Sequence, residues 1–193
     1  MDSIKIMGHL VAGFPDRAGF EAACRGLSEG GVEILEIQIP FSDPTADGPV
    51  NTAACEAALR GGFRLRDIFS YIAYARECGF EEIHLMSYAN PVYRFGIAAY
   101  TDAMEKAGVT GLIVPDLPIE DEEGFYTGTL GRKIDAVPVI VVHMLAERVK
   151  MLNAMGMQRC YISLRQGVTG QATEIEKSEL QFLKKIDIPK LYA

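Results

Sequence analysis

The feature that most constrains this fold is a regular alternation of short apolar runs with longer amphipathic segments. Seven apolar runs predict strands, and most of them begin about 25–30 residues apart. The runs are largely unbroken, which is typical of parallel strands that are covered on both faces. The predicted strands are 8–12, 34–39, 83–87, 111–114, 137–143, 160–164 and 189–193.

The amphipathic segments between these runs predict helices at 18–27, 52–59, 66–77, 97–107, 146–155 and 177–185. Such repeated βα units fit either an open doubly wound sheet or a closed (βα)8 barrel. The first strand is followed by Ala-Gly-Phe-Pro-Asp, not by the glycine pattern of a dinucleotide-binding sheet. Polar residues follow many different strands, which favours the barrel. The sequence therefore predicts one α/β domain over residues 1–193, a (βα)8 TIM barrel.

The number of predicted units is smaller than a complete barrel requires. A TIM barrel typically has about 250 residues, whereas these 193 residues contain six βα units and a seventh strand. We therefore expect the sequence to be truncated after strand 7, with units 7 and 8 incomplete or missing.

Composition excludes several classes of partner. The formal net charge is −7, from 19 basic and 26 acidic residues, and the absence of a basic stripe argues against nucleic-acid binding. No apolar stretch approaches the roughly 18 residues of a bilayer-spanning helix, and the N-terminus lacks a signal-peptide pattern, so no membrane association is expected. Four scattered cysteines without a CxxC pair indicate reduced, buried thiols and predict a cytoplasmic protein.

Glu36 is the first candidate for chemistry, because it lies within a run of isoleucine and leucine where a carboxylate is costly. Side chains two apart share a face of a strand, so Ile34, Glu36 and Gln38 point one way. If the opposite face packs on the helices, Glu36 faces the barrel interior, where burial raises its pKa as acid–base catalysis requires. A structural glutamate that pairs with a neighbouring strand is the alternative.

Asp47 follows in a loop that is rich in proline, glycine, serine and aspartate. Loop acids often make turns or helix caps, so a turn residue and a catalytic residue are both open for Asp47. Asp43 and Pro44 likewise fit ordinary turn chemistry. His9, His84 and His143 lie in predicted strands without acidic partners at ligand spacing, so no metal site is expected.

Four ordered motifs resemble the α subunits of tryptophan synthase. The stretch 35–49 contains P-F-S-D-P-x-A-D-G-P shortly after L-E. Residues 85–93, 108–118 and 161–170 resemble that family's strand 3 with its loop, its strand 4, and its strand 6 with the loop that follows. The likeness covers nearly the whole chain.

The resemblance implies a lyase that splits indole-3-glycerol phosphate into indole and glyceraldehyde 3-phosphate by retro-aldol cleavage. It implies that Glu36 is the general acid and base, and that Asp47 holds the indole N–H. It assigns substrate contacts to Tyr88, Tyr161, Thr169 and Gly170. From the residues alone, each tyrosine also fits core packing, and Gly170 also fits a turn.

The resemblance also implies a partner. Asp43 and Pro44 correspond to the surface that meets a β subunit in an αββα heterotetramer. No cofactor is expected in this subunit, whereas pyridoxal phosphate is expected in the β subunit. The substrate that the resemblance implies is a small phosphate ester, but the family's main phosphate-binding loops follow strands 7 and 8 and do not appear in this sequence.

Two departures leave alternative functions open. Gln38 occupies a position that is usually glycine, so its longer side chain is expected to crowd or hydrogen-bond the catalytic acid. It favours the alternative of a catalytically weak subunit that activates a β subunit. The link from strand 5 to its helix, at 142–147, is also shorter than in the family. Another phosphate-binding barrel of aromatic amino-acid synthesis is the third alternative, although such barrels lack the P-F-S-D-P-x-A-D-G-P loop.

Overall fold

The computed structural model describes residues 5–141, 146–163 and 181–192. Its strands are β1 (Met7–Val11), β2 (Ile34–Gln38), β3 (Glu82–Met86), β4 (Gly111–Ile113), β5 (Asp135–Val137), β6 (Val139–Val141), β7 (Cys160–Ser163) and β8 (Lys190–Tyr192). Its helices are α1 (Arg17–Glu29), α2 (Pro49–Arg60), α3 (Ile68–Glu77), α4 (Ala89–Phe95), α5 (Ile97–Lys106) and α6 (Ala146–Ala154). Short 3-10 turns lie at Leu65–Asp67 and Thr127–Thr129.

The strands are parallel and lie in chain order. One sheet contains β1 to β5 and the second contains β6 to β8. Pro138 separates β5 from β6, because proline has no N–H to donate to a neighbouring strand. Its carbonyl still accepts a hydrogen bond from the backbone N–H of Tyr161 at 2.9 Å. The predicted strand 137–143 therefore contains the last residue of β5, which pairs with β4, and all of β6, which pairs with β7; residues 142 and 143 lie outside the described residues.

Helix α4 was not predicted, because residues 85–93 were interpreted as the third strand followed by a loop. Pro91 lies in the first turn of α4, where its missing N–H disrupts no helical hydrogen bond. The backbone N–H of Ala89 donates to the Asp116 carboxylate at 2.9 Å, so a residue distant in sequence caps this helix. Gly96, at a φ of 89°, separates α4 from α5.

The outward strand faces pack on the helices. Ile37, Leu85 and Leu112 are register partners on neighbouring strands, and all three are buried in the main core beside Phe20 of α1 and Ile72 of α3. Helix α1 begins at a cap in which the Asp16 side chain accepts from the N–H of Gly19 at 2.8 Å. The alternation in β2 thus places one side chain in two against the helices, as predicted.

The opposite strand faces form rows across the sheet. One row comprises His9, Glu36, His84, Gly111 and Asp135, and the next comprises Val11, Gln38, Met86, Ile113 and Val137. A Cβ on Gly111 would lie 2.7 Å from the ring of His84, so glycine is required beside this histidine. Glu36 therefore faces away from the helices, as the sequence pattern predicts.

A charged cluster lies at the beginning of the strands, away from the loops that follow them. Glu82, at the start of β3, pairs with Lys5 at 2.9 Å and with Arg159, which immediately precedes β7. A nitrogen of Arg159 also lies 3.1 Å from the ring of the buried His84. These contacts connect the N-terminal segment, β3 and the start of β7.

Across the described ranges, no helix is long and apolar enough to cross a membrane.

Candidate active site

Asp47 lies in the loop between β2 and α2 and accepts hydrogen bonds from three side chains. Its Oδ2 accepts from Gln38 Nε2 at 2.6 Å and from the Tyr88 hydroxyl at 2.8 Å. Its Oδ1 accepts from Asn51 Nδ2 at 3.3 Å. An ionised carboxylate only accepts hydrogen bonds, so these three donors suit its charged form. Asp47 is half-buried, which makes it a fixed element of the site rather than an exposed loop acid.

Tyr88 fixes the same loop from the other side. Its side chain is fully buried. Its hydroxyl accepts from the backbone N–H of Ala46 at 3.1 Å while it donates to Asp47. The ring of Phe41 stacks on it, with centroids 5.2 Å apart. Burial raises the pKa of Tyr88, and the hydrogen bond to Asp47 raises it further. The hydroxyl therefore stays protonated and remains a hydrogen-bond donor to Asp47.

Glu36 lies in a different environment from Asp47. Its side chain is 5% exposed, and burial raises its pKa above the ordinary value of 4.5. The nearby His9 opposes this shift, and Asp47 adds to it. A carboxyl group that holds its proton to higher pH can donate it to a substrate and then take one back. The surroundings of Glu36 therefore suit a proton donor, whereas those of Asp47 suit an anion, and one site can use both.

Tyr161 belongs to an apolar wall beside the two acids. The wall consists of Met86, Tyr88, Ile113 and Val137, with Phe41, Val139, Tyr161 and Leu191 packed against them. Burial raises the pKa of Tyr161, and the charges of Glu36 and Asp47 raise it further. Both carboxyl groups are therefore close enough to interact electrostatically with the Tyr161 hydroxyl. A flat aromatic molecule could rest on this wall with its polar edge towards the carboxyl groups.

The structure brings Glu36, Asp47, Tyr88 and Tyr161 together, and it places Asp43 and Pro44 on the outer part of the loop. Asp43 is exposed and accepts from the Ser42 hydroxyl at 2.6 Å, whereas Pro44 is half-buried.

Thr169 and Gly170 lie outside the described residues, as does the link at 142–145. Their assignments remain predictions.

The expected hydrogen bond between Gln38 and Glu36 was wrong, because the Gln38 amide bonds to other residues. The Gln38 amide contacts Asp47 and His9, because the loop folds its carboxylate back over the end of β2. Two other residues of the site were missed. His9 shares a row with Glu36, which strand parity could have revealed, and Asn51 stands four residues after Asp47 at the start of a helix.

The candidate site lies where the strands end, at the face on which TIM-barrel active sites form. It combines a protonatable buried carboxyl, a hydrogen-bonded carboxylate and an apolar wall. This set can transfer a proton and bind an aromatic N–H. Among the described residues, no group of three or more histidine, cysteine, aspartate or glutamate side chains is placed to hold a metal ion.

Comparison with known sequences identifies relatives along most of the chain. The family model of the tryptophan synthase alpha chain matches residues 3–190. The chain is 35% identical over 189 residues to the tryptophan synthase alpha chain of Nocardia farcinica, and 32% identical over 188 residues to that of Methanosarcina mazei. These matches cover 95% and 96% of this chain, and 70% and 68% of the two relatives.

Comparison with solved structures gives the same result. A structure of Mycobacterium tuberculosis tryptophan synthase matches with a TM-score of 0.87 and 31% identity, over 97% of this chain and 73% of that chain. The tryptophan synthase complex of Pyrococcus furiosus matches with a TM-score of 0.82 and 28% identity, over 98% of this chain and 77% of that chain. The predicted α/β barrel is confirmed by this agreement.

Proposed function

Because this chain belongs to the tryptophan synthase alpha chain family, we propose that it cleaves indole-3-glycerol phosphate into indole and glyceraldehyde 3-phosphate. The family role is that of an enzyme subunit in tryptophan biosynthesis. The proposal adds the reaction, a retro-aldol cleavage by a carbon–carbon lyase. The observation that carries it is the pairing of buried Glu36 with hydrogen-bonded Asp47 beside the apolar wall.

In the proposed reaction, Glu36 begins in its protonated form and donates a proton to C3 of the indole ring. The ring becomes a cation, and Asp47 stabilises it by accepting a hydrogen bond from the ring N–H. Glu36 then takes the proton of the glycerol hydroxyl that adjoins the ring. The C3–carbon bond breaks, its electrons return to the indole ring, and the hydroxyl carbon becomes the aldehyde. Glu36 ends in its starting protonation state.

The apolar wall fits the indole ring of this substrate. Tyr161 is half-buried and can present ring surface to it, whereas the fully buried Tyr88 supports the wall from behind and holds Asp47. Each Å² of apolar surface that the ring buries against the wall contributes roughly 25 cal/mol to the free energy of binding. Thr169 and Gly170 stay in the proposal as further substrate contacts, on the strength of the motif that they share with the family.

We also propose that the chain works with a β subunit. The Pyrococcus furiosus relative is a tryptophan synthase complex, and the exposed Asp43 lies in the same loop as Asp47. No cofactor is needed for the proton transfers above, and pyridoxal phosphate is assigned to the partner. The four cysteines are free thiols, which supports a cytoplasmic location.

A catalytically weak subunit that activates a β subunit is the second candidate. The observation in its favour is that Gln38 and Tyr88 both occupy Oδ2 of Asp47. Single-turnover cleavage with enzyme in excess separates the two candidates. A lyase converts the bound substrate without a β subunit, whereas a purely activating subunit leaves it intact.

The experiment compares the full-length wild-type protein with Glu36→Gln and Glu29→Gln in an assay of indole release. Glutamine keeps the size of the side chain but cannot shuttle a proton, so Glu36→Gln should lose at least about 100-fold in rate. Glu29 is exposed on α1, and its variant should match the wild type. Thermal unfolding checks that all three proteins are folded. Near wild-type cleavage by Glu36→Gln would remove the acid–base assignment.

A further inference from the structure

Gln38 is a completely buried amide beside the proposed catalytic carboxylate. Its side chain is 0% exposed, and its register partners, Val11 and Met86, are apolar. A buried amide without hydrogen-bond partners is costly, commonly about 1–3 kcal/mol for each unsatisfied group. Gln38 avoids this cost through contacts with His9 and with Asp47.

The chemistry of Asp47 determines which end of the amide faces it. An ionised carboxylate has no proton to donate, so the NH₂ group of Gln38 must point towards Asp47. The N···O distance of 2.6 Å is short, in keeping with a hydrogen bond to a charged acceptor. The amide oxygen then faces His9 Nε2 at 2.9 Å, and this ring nitrogen must carry the proton. Donation thus runs from His9 to Gln38 and from Gln38 to Asp47.

The two oxygens of Asp47 are therefore not equivalent. Oδ2 holds two short hydrogen bonds, from Gln38 and from Tyr88. Oδ1 has the longer contact with Asn51, at 3.3 Å. Gln38 belongs to β2 and Tyr88 stands at the start of α4, so two regular elements clamp the same atom. The Gln38 nitrogen also lies 3.4 Å from the Cys55 sulfur on α2, which fixes the amide from a third element.

We propose that Gln38 is a positioning residue, which holds Oδ2 of Asp47 so that Oδ1 is presented to the N–H of the substrate. This inference rests on the proposed function, because it assigns Gln38 a role in the same cleavage. Gln38 acts through Asp47 and does not touch the reacting atoms. A rigid carboxylate needs no reorientation when the positive charge develops on the ring, so its orientation affects kcat more than KM.

The first test replaces Gln38 by methionine, which has similar length but cannot hydrogen-bond. In the full-length protein we expect kcat to fall about 10-fold, with KM changed by less than about twofold. Gln158→Met is the matched control, because Gln158 is exposed near the start of β7. Gln38→Gly removes the side chain without any clash, and it should lower kcat in the same way. Wild-type kcat in Gln38→Met and in Gln38→Gly would overturn the proposal.

The second test uses the pH profile of Gln38→Glu. The introduced carboxyl can donate to Asp47 while it is protonated, but it repels Asp47 once it ionises. Activity relative to wild type should be highest at low pH and should fall as pH rises. A purely space-filling role predicts the same relative activity at every pH, and that result would count against positioning.

The third test is a double-mutant cycle with Asp47→Asn. If Gln38 acts through the carboxylate, Gln38→Met should lower kcat by less than about twofold in the Asp47→Asn background. An equal loss of kcat in both backgrounds would show a structural effect and overturn the proposal.

The proposed lyase function and the proposed role of Gln38 would be disproved by different results. A wild-type protein that does not cleave the substrate disproves the lyase function, whereas normal cleavage by wild type and by Gln38→Met disproves only the role of Gln38.

Discussion

At the scale of single residues, the site depends on two carboxyl groups that the fold places in unlike surroundings. Glu36 is covered by neighbouring strands, and burial raises its pKa. Asp47 receives three side-chain hydrogen bonds in a half-buried loop. The protein therefore distinguishes two chemically similar groups by burial and by hydrogen bonding, and their different roles in the proposed cleavage follow from that difference.

Asp47→Asn should impair chemistry more than folding. An amide carries no charge to stabilise a cationic indole ring, so we expect indole formation to fall by at least about 100-fold. The amide oxygen still accepts a hydrogen bond from Tyr88 or Gln38, so we expect a stability loss of about 1–2 kcal/mol. Steady-state kinetics and urea unfolding measure the two effects. A variant that unfolds readily but retains normal activity per folded molecule would make Asp47 a turn residue.

Glu36→Gln should change how stability depends on pH. Because the folded pKa of Glu36 is raised, the folded protein binds this proton more tightly than the unfolded chain does. The wild type therefore loses stability as pH rises above the ordinary value of 4.5 and through the raised pKa. Glutamine does not ionise, so the stability of the variant relative to wild type should increase with pH.

Urea unfolding at about pH 5 and about pH 8 checks this expectation. Glu29→Gln, with its exposed side chain, is the control and should track the wild type at both values. A constant difference between Glu36→Gln and wild type across this range would show that Glu36 is not held in its protonated form by burial.

At the scale of elements, the beginning and the end of the strands have different tasks. The strands end at the candidate site, whereas the charged cluster of Glu82, Lys5 and Arg159 lies where β3 and β7 begin. His84 extends this cluster into the row that contains Glu36. Residues at this end of a parallel barrel serve stability, so the cluster can be altered without removing a catalytic group.

Glu82→Gln should destabilise the fold and leave cleavage per folded molecule unchanged. The neighbouring His84, Lys5 and Arg159 lower the pKa of Glu82 against the opposing effect of burial. A lowered pKa adds stability above the ordinary value of 4.5, and this stability is lost as pH falls through the folded pKa. The variant should lose about 1–3 kcal/mol near neutral pH, and the loss should shrink in acid.

Denaturant unfolding over a pH series tests this prediction. Glu81→Gln is a matched control, since Glu81 is the exposed neighbour of Glu82 in the chain. A loss of activity per folded molecule in Glu82→Gln, with unchanged stability, would mean that the cluster belongs to the catalytic site.

At the scale of the whole molecule, the strands are arranged so that one loop serves two surfaces. The loop after β2 carries Asp47 on its inner side and the exposed Asp43 on its outer side. The backbone N–H of Asp47 donates to the Pro44 carbonyl at 3.0 Å, so the two sides are joined by a tight turn. A partner that binds the outer side could therefore alter the geometry of the carboxylate.

Binding of a cognate β subunit should raise the rate of cleavage, and a glycerol phosphate analogue should tighten the association. Coupling of this kind is reciprocal and typically amounts to about 1–3 kcal/mol. Asp43→Ala should weaken both effects while it spares basal cleavage. Titrations of the β subunit against the full-length chain, with and without the analogue, measure the coupling. Glu29→Ala, on an outer helix, should behave as wild type. Equal affinities in both titrations and no rate change at saturation would contradict the coupling.

The sequence alone determined the repeated βα units and the direction of Glu36, because both depend on local periodicity. Unbroken apolar runs predicted seven strand regions, and alternation in β2 predicted which side chains face the helices. The motif around Asp47 predicted the family from residues that lie close together in the chain. These features need no knowledge of which distant segments meet.

The tertiary structure alone decided the features that depend on contacts between distant segments. Helix α4 forms with its first N–H bound to Asp116 of another loop, and Pro138 divides a strand whose two halves pair with different neighbours. The amide of Gln38 faces Asp47 and not Glu36, because the loop returns over the strand end. Periodicity specifies the face on which a side chain lies, but the partner that it meets there depends on the path of the rest of the chain.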